Sequence, residues 1–373
     1  MLWSLVMAVQ SFNHPGLHLP RHGFRITRYA TGPLALGALL TVGLSILMSS
    51  ATADEAGKVG LLQDEIFSEY SPLSSNLELA RRSLTPLTAA ELPQRLAQLG
   101  KGLSEQPINL ADERFTLYVP SQAPPNGYAL LVFVPPWQDA HLPQGWTPVL
   151  DRYGVIFASA ARSGNPETIL GRREPLAVLA AQNVMHRYSV DPQRVYVAGF
   201  SGGSRIALRT ALAYPDLFHG ALLNSGSDPI GTKDAALPPR DLFLQFQGST
   251  RLVYVTGDED NLNRALDAQS MRSMRQWCVF NVDSQTVYRT GHSAAPAAAL
   301  SEALQTLFKP ASADAAKLAA CRADIESQMA ATLDHVESLF AGGKREEAQK
   351  KLREADARFG GLAAPRSTEL AQR

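Results

Sequence analysis

Acidic residues are missing from the first 53 positions of this sequence, cysteine is almost missing from all of it, and net charge is missing altogether. Each absence excludes something. Lys plus Arg equals Asp plus Glu at 35 each, so no basic surplus points to a nucleic-acid partner. Two cysteines, Cys278 and Cys321, stand too far apart for the clustered spacing of a zinc site, and the reading includes no metal and no cofactor. They do permit one disulfide in an oxidising compartment. The longest apolar stretch near the start, Pro33 to Met48, falls short of the ~20 residues that span a bilayer.

The acid-free start carries Arg21, Arg25 and Arg28, then that apolar stretch, then Ala51-Thr52-Ala53. A positive region, a hydrophobic region and a small-x-small site follow in the order of a cleavable secretory signal. Residues 1–53 are therefore expected to be a signal peptide, an uncleaved N-terminal anchor being the alternative. The rest is expected to be secreted or periplasmic, with no stable membrane span.

Residues 54–108 mix Leu, Ala, Ser and Pro at helical spacing and predict short helices and loops. From Arg114 the texture changes to short runs rich in Val, Leu, Ile, Tyr and Phe. Strands are predicted around residues 115–119, 129–134, 154–158, 194–198, 220–223, 252–255 and 282–288, with helices at 174–188 and from 203 to about 213. Near-continuous apolar strands alternating with helices describe a doubly wound, mostly parallel sheet buried on both faces. Its expected extent is 109–309. From about residue 311, Leu318, Cys321, Ile325, Met329, Leu333, Val336 and Phe340 form one helical stripe. Gly342-Gly343 breaks it, and Ala348, Leu352, Ala355 and Phe359 form a second. Residues 310–373 thus read as a helical hairpin, packed on its own domain or offered to a protein partner.

Chemistry concentrates at Gly199-Phe200-Ser201-Gly202-Gly203, which fits G-x-S-x-G between a buried-type strand and a helix. Such a turn exposes its serine at the carboxyl end of a sheet, beside a helix N-terminus that favours developing negative charge. A serine hydroxyl needs a base. Of the five histidines beyond the leader, only His292 follows the last strand on a loop at that sheet edge. An orienting acid should follow the strand between them, where Asp258, Glu259 and Asp260 compete. Asp260 is preferred because it lies farther past the strand end. The oxyanion donors are expected to be the N–H of Gly202 and one from the loop after Val134. Pro135 and Pro136 have no N–H, which leaves Trp137, ranked first, or Gln138. Residues 227–250 are either a lid over the site or a plain connection.

The run Val190 to Gly203, with Tyr214-Pro215-Asp216-Leu217-Phe218 and Gly291-His292-Ser293, resembles secreted esterases of the polyhydroxybutyrate depolymerase type and their feruloyl esterase relatives. The likeness covers roughly residues 112–308. It implies an α/β-hydrolase fold, hydrolysis of small or polymeric carboxylic esters without a cofactor, and a triad of Ser201, Asp260 and His292. Where many relatives carry His-Gly in the oxyanion loop, this chain has Pro135-Pro136-Trp137. A serine peptidase, or a non-catalytic binding protein on the same fold, are the alternatives.

Overall fold

The structure, a computed structural model, describes residues 57–100, 102–311 and 314–373. The expected signal peptide lies outside the described residues. Eight strands form one sheet: β1 (Gly60–Glu65), β2 (Phe115–Val119), β3 (Tyr128–Val134), β4 (Val155–Ala160), β5 (Val190–Phe200), β6 (Gly220–Asn224), β7 (Arg251–Gly257) and β8 (Val282–Val287). Their spatial order is β1-β2-β4-β3-β5-β6-β7-β8. The pairings β1/β2 and β2/β4 are antiparallel, and every pairing from β4/β3 to β7/β8 is parallel. Helices α1 (Asn76–Ser83) and α2 (Pro86–Gln98) precede β2. Within the sheet region lie α3 (Thr147–Tyr153), α4 (Glu174–Arg187), α5 (Gly202–Ala213), α6 (Arg240–Ser249), α7 (Asn261–Gln276) and α8 (Ala297–Leu307). The tail holds α9 (Ala315–Ala341), α10 (Arg345–Phe359) and α11 (Arg366–Ala371).

Side chains alternate across a strand, so a strand covered on both faces must be apolar at every position. β3 shows why its sequence is unbroken. Leu130, Val132 and Val134 pack with Leu176 and Leu179 of α4 and Ile206 of α5. Ala129, Leu131 and Phe133 face the other way, toward Val149 and Leu150 of α3 and Leu300 of α8. This two-sided sheet is the doubly wound architecture that the strand pattern predicts.

One expectation needs correction. Residues 54–108 were expected to hold only helices and loops, yet β1 runs there as the edge strand, antiparallel to β2. Its polar Gln63, Asp64 and Glu65, and its irregular register between Leu62 and Glu65, mask the alternation that marks a strand. The tail holds the hairpin of α9 and α10 and continues past it. Beyond Gly360 the chain makes a tight helical turn, Gly360–Ala363, and the further helix α11.

The tail covers its own sheet domain. Leu333, Val336, Leu352, Ala355 and Phe359 belong to the same buried cluster as the core of β3 and α5. Phe359 meets Trp277 edge-on at 6.0 Å, and the Gly361 N–H donates to Leu237 O at 2.8 Å. Cys278 and Cys321 form a disulfide, Cα to Cα 5.9 Å, which ties α9 to the end of α7. Within residues 227–250, Phe243 and Phe246 of α6 are buried in the main core.

Candidate active site

Ser201 stands between the last residue of β5 and the first turn of α5, with φ 56° and ψ −121°. A residue other than glycine at positive φ costs of order 1–3 kcal/mol, and such strain persists only where its surroundings enforce it. Here the enforcement is steric. A Cβ on Gly199 would lie 2.2 Å from Gly203 O, and one on Gly203 would lie 1.9 Å from Val134 O. Only glycine at both positions lets β5, α5 and the end of β3 meet this closely. The Ser201 N–H donates to Asn224 O at 2.8 Å, holding the turn against β6.

Ser201, His292 and Asp260 come together in one line. His292 Nε2 lies 2.9 Å from Ser201 Oγ, and His292 Nδ1 lies 2.6 Å from Asp260 Oδ2. The Asp260 side chain is 6% exposed while that of His292 is 42% exposed, so the acid is sheltered and the imidazole is open to solvent. Burial opposes the charged form of Asp260. Hydrogen bonds from His292 and Asn263 outweigh it and hold the carboxyl below its ordinary range. Asp260 is also the N-cap of α7, accepting from the Asn263 N–H at 3.4 Å.

Asp258 goes elsewhere. Its Oδ1 accepts from the Thr290 N–H at 3.1 Å, and that bond keeps its carboxyl below the usual range. The Glu259 N–H donates to Thr290 O at 3.0 Å. These two bonds fasten the acid loop to the histidine loop from outside. Glu259 makes no side-chain contact with the imidazole.

Two further residues hold the site from inside: Asn224, which sequence reasoning missed, and Asn263, which its place on the acid loop marks as a side-chain tie for that loop. Asn224, at the end of β6, donates through Nδ2 to Val255 O at 2.9 Å and to Ser293 O at 3.4 Å, and its Oδ1 accepts from the Ala295 N–H at 2.6 Å. It therefore pins the start of the histidine loop's return. Asn263 directs Nδ2 at both Asp260 oxygens, 2.9 Å each, and stands 3.0 Å from His292 Nδ1. A strand-terminal Asn at the functional edge was the available signal for the first. An Asn three residues past the acid was the signal for the second.

The loop after β3 runs beside the loop after β4. The Asn165 N–H donates to Pro136 O at 3.0 Å and the Arg162 N–H to Gln138 O at 2.6 Å. In a trans peptide C=O and N–H point opposite ways. The Trp137 N–H is thus turned away from the β4 loop, toward the side on which β5 lies. Behind this loop Arg173 is buried and makes no ion pair among the described residues; burial lowers its pKa to about 10. Its guanidinium donates to Ser163 O at 2.7 Å and Pro135 O at 2.9 Å, locking the two loops together. The Trp137 ring stacks on His141 at 4.6 Å and approaches Phe200, which lies 4.8 Å from the His292 ring. At the floor of the acid side, Asp267 is buried. Burial raises its pKa to about 6, and Thr256 Oγ1 donates to its Oδ2 at 2.5 Å.

No family model matches the chain. Among curated proteins it is similar to a poly(3-hydroxybutyrate) depolymerase of Ralstonia pickettii, 30% identical over 106 residues. That match covers 25% of this chain and 22% of the relative, so the chain spans about a fifth of the relative's length. Among solved structures, a ferulic acid esterase shares 17% identity at TM-score 0.40, over 52% of this chain and 91% of its own. Dipeptidyl peptidase 4 of Porphyromonas gingivalis shares 14% identity at TM-score 0.40, over 52% of this chain and 33% of its own. Overlap at that level does not weigh on a choice between ester and amide. The strand order, the antiparallel start and parallel remainder of the sheet, and the strained turn into α5 together make this an α/β-hydrolase fold.

Proposed function

We propose that the chain is a serine hydrolase that cleaves carboxylic esters through an acyl-enzyme on Ser201. The observation that carries this reading is the continuous relay Ser201 Oγ, His292 Nε2, His292 Nδ1, Asp260 Oδ2, at 2.9 and 2.6 Å. With Nδ1–H donated to Asp260, Nε2 is free to accept the serine proton. Ser201 Oγ then attacks the ester carbonyl carbon as His292 takes that proton. The negative oxygen that forms accepts N–H groups from Gly202, at the first turn of α5, and from Trp137. Collapse expels the alcohol, protonated by His292, and water attacks the acyl carbon by the same route to release the acid. Preference for esters over amides rests on the similarity to the depolymerase.

The reading includes export. The arginine-led apolar start of the sequence supports it, and so does the Cys278–Cys321 bridge, which forms and persists in oxidising compartments. A fluorophosphonate probe should label the peptide containing Ser201, and the protein should hydrolyse an ester panel in preference to matched amides. Ser201→Ala should lose about 10⁴–10⁶ in turnover with little change in thermal unfolding. Retention of more than about a hundredth of the activity would overturn the assignment.

A further inference from the structure

The residue after the nucleophile is a glycine, and the Asn165 side chain stands against it. A Cβ on Gly202 would fall 2.0 Å from Asn165 Oδ1, 2.8 Å from its Cγ and 3.0 Å from its Nδ2. The Asn165 carboxamide therefore occupies the space that any larger residue at 202 would claim. The Asn165 backbone is held beside it: its N–H donates to Pro136 O, the carbonyl of the peptide that carries the Trp137 N–H. One residue thus touches both backbone segments assigned to the oxyanion. Its side chain is exposed, and its amide makes no hydrogen bond to any described residue. An amide carries two donors and an acceptor. Standing beside the residue after the nucleophile with its donors free, the amide can donate to a group that arrives at Ser201.

We infer that Asn165 is a further catalytic residue, whose Nδ2–H donates to the oxygen that becomes negative when Ser201 attacks. This deepens the proposed reaction and rests on it. The donor would supplement a loop in which Pro135 and Pro136 can offer no N–H. Such an interaction is stronger in the transition state than with the neutral carbonyl, so its loss falls on kcat more than on KM.

The test is steady-state hydrolysis of one soluble ester by four variants of the full chain. Asn165→Ala should lower kcat about 10–100-fold, somewhat less than a fully enclosed donor is worth, with KM within about twofold. Asn165→Asp keeps the size of the side chain but sets a negative charge beside the oxyanion, and should lose more than the alanine variant. Gly202→Ala should expel the Asn165 side chain and lose a similar amount; the double variant Gly202→Ala with Asn165→Ala should be no worse than Gly202→Ala alone. A kcat for Asn165→Ala within about threefold of the parent, or a loss confined to KM, overturns the inference. Should the alanine variant fail to fold, the aspartate variant decides it, full activity being the overturning result. Ser201→Ala run alongside separates the two levels: if it stays active, the reading of the whole site falls, and if it is dead while Asn165→Ala is intact, only the Asn165 donor falls.

Discussion

Asp258 and Asp260 stand two residues apart at the end of β7, and only Asp260 reaches the imidazole. Asp258 caps a backbone N–H of the histidine loop. Asp260→Asn should therefore lose about 10⁴ in turnover by favouring the wrong imidazole tautomer. Asp258→Asn keeps an acceptor for Thr290 and should lose less than about tenfold; kinetics of the two variants under identical conditions check this. Asp267 offers a test by pH. Its folded pKa of about 6 lies above the ~3.9 of an unfolded aspartate. Its contribution to stability is complete below about pH 4 and is lost as pH rises through about 6. Between pH 4 and pH 7.5, Asp267→Asn should gain ~3 kcal/mol relative to the parent, read from denaturant midpoints at each pH. At this scale Ser201 and Asp260 are legible in the sequence because each follows an apolar run, and His292 because its loop follows the last strand. Asn224 and Asn165 are not, because a hydrogen bond from an amide leaves no periodic trace.

Among elements, the parallel strands inside the sheet are legible for the reason given by β3: burial on both faces demands near-continuous apolar residues. β1 escapes because an edge strand needs no such run, and its Leu61 is 53% exposed. The tail stripes are legible as helices, but their partner surface is not, since a stripe records that it is covered and not by what. The bridge between α7 and α9 makes that cover testable. Its cysteines are 43 residues apart, and in the chain-entropy picture closing such a loop stabilises by ~3–4 kcal/mol. Replacing both by serine should lower the unfolding free energy by about that amount and remove its dependence on reductant. Hydrolysis under native conditions should survive, because neither sulfur approaches the relay.

For the molecule as a whole, sheet and tail share one core, so damage to the tail should be felt as global instability. Phe359 is 1% exposed and sits against Trp277. Phe359→Ala should cost ~3–5 kcal/mol in equilibrium unfolding, with one transition and not two. The tail also closes on the earliest helices. The Leu87 N–H, at the start of α2, donates to Asp356 Oδ1 of α10, 269 positions later in the chain. Seen as a matter of timing, α2 leaves the ribosome long before its cover exists. At ~5–20 residues per second, synthesis takes roughly 15–50 s to supply it. For that interval Leu87 of α2, which packs against the cluster that holds Leu352, Phe359 and Leu370, waits for those partners. Nascent chains stalled before residue 340 should be cut by protease around residues 86–98, and released full-length chains should resist.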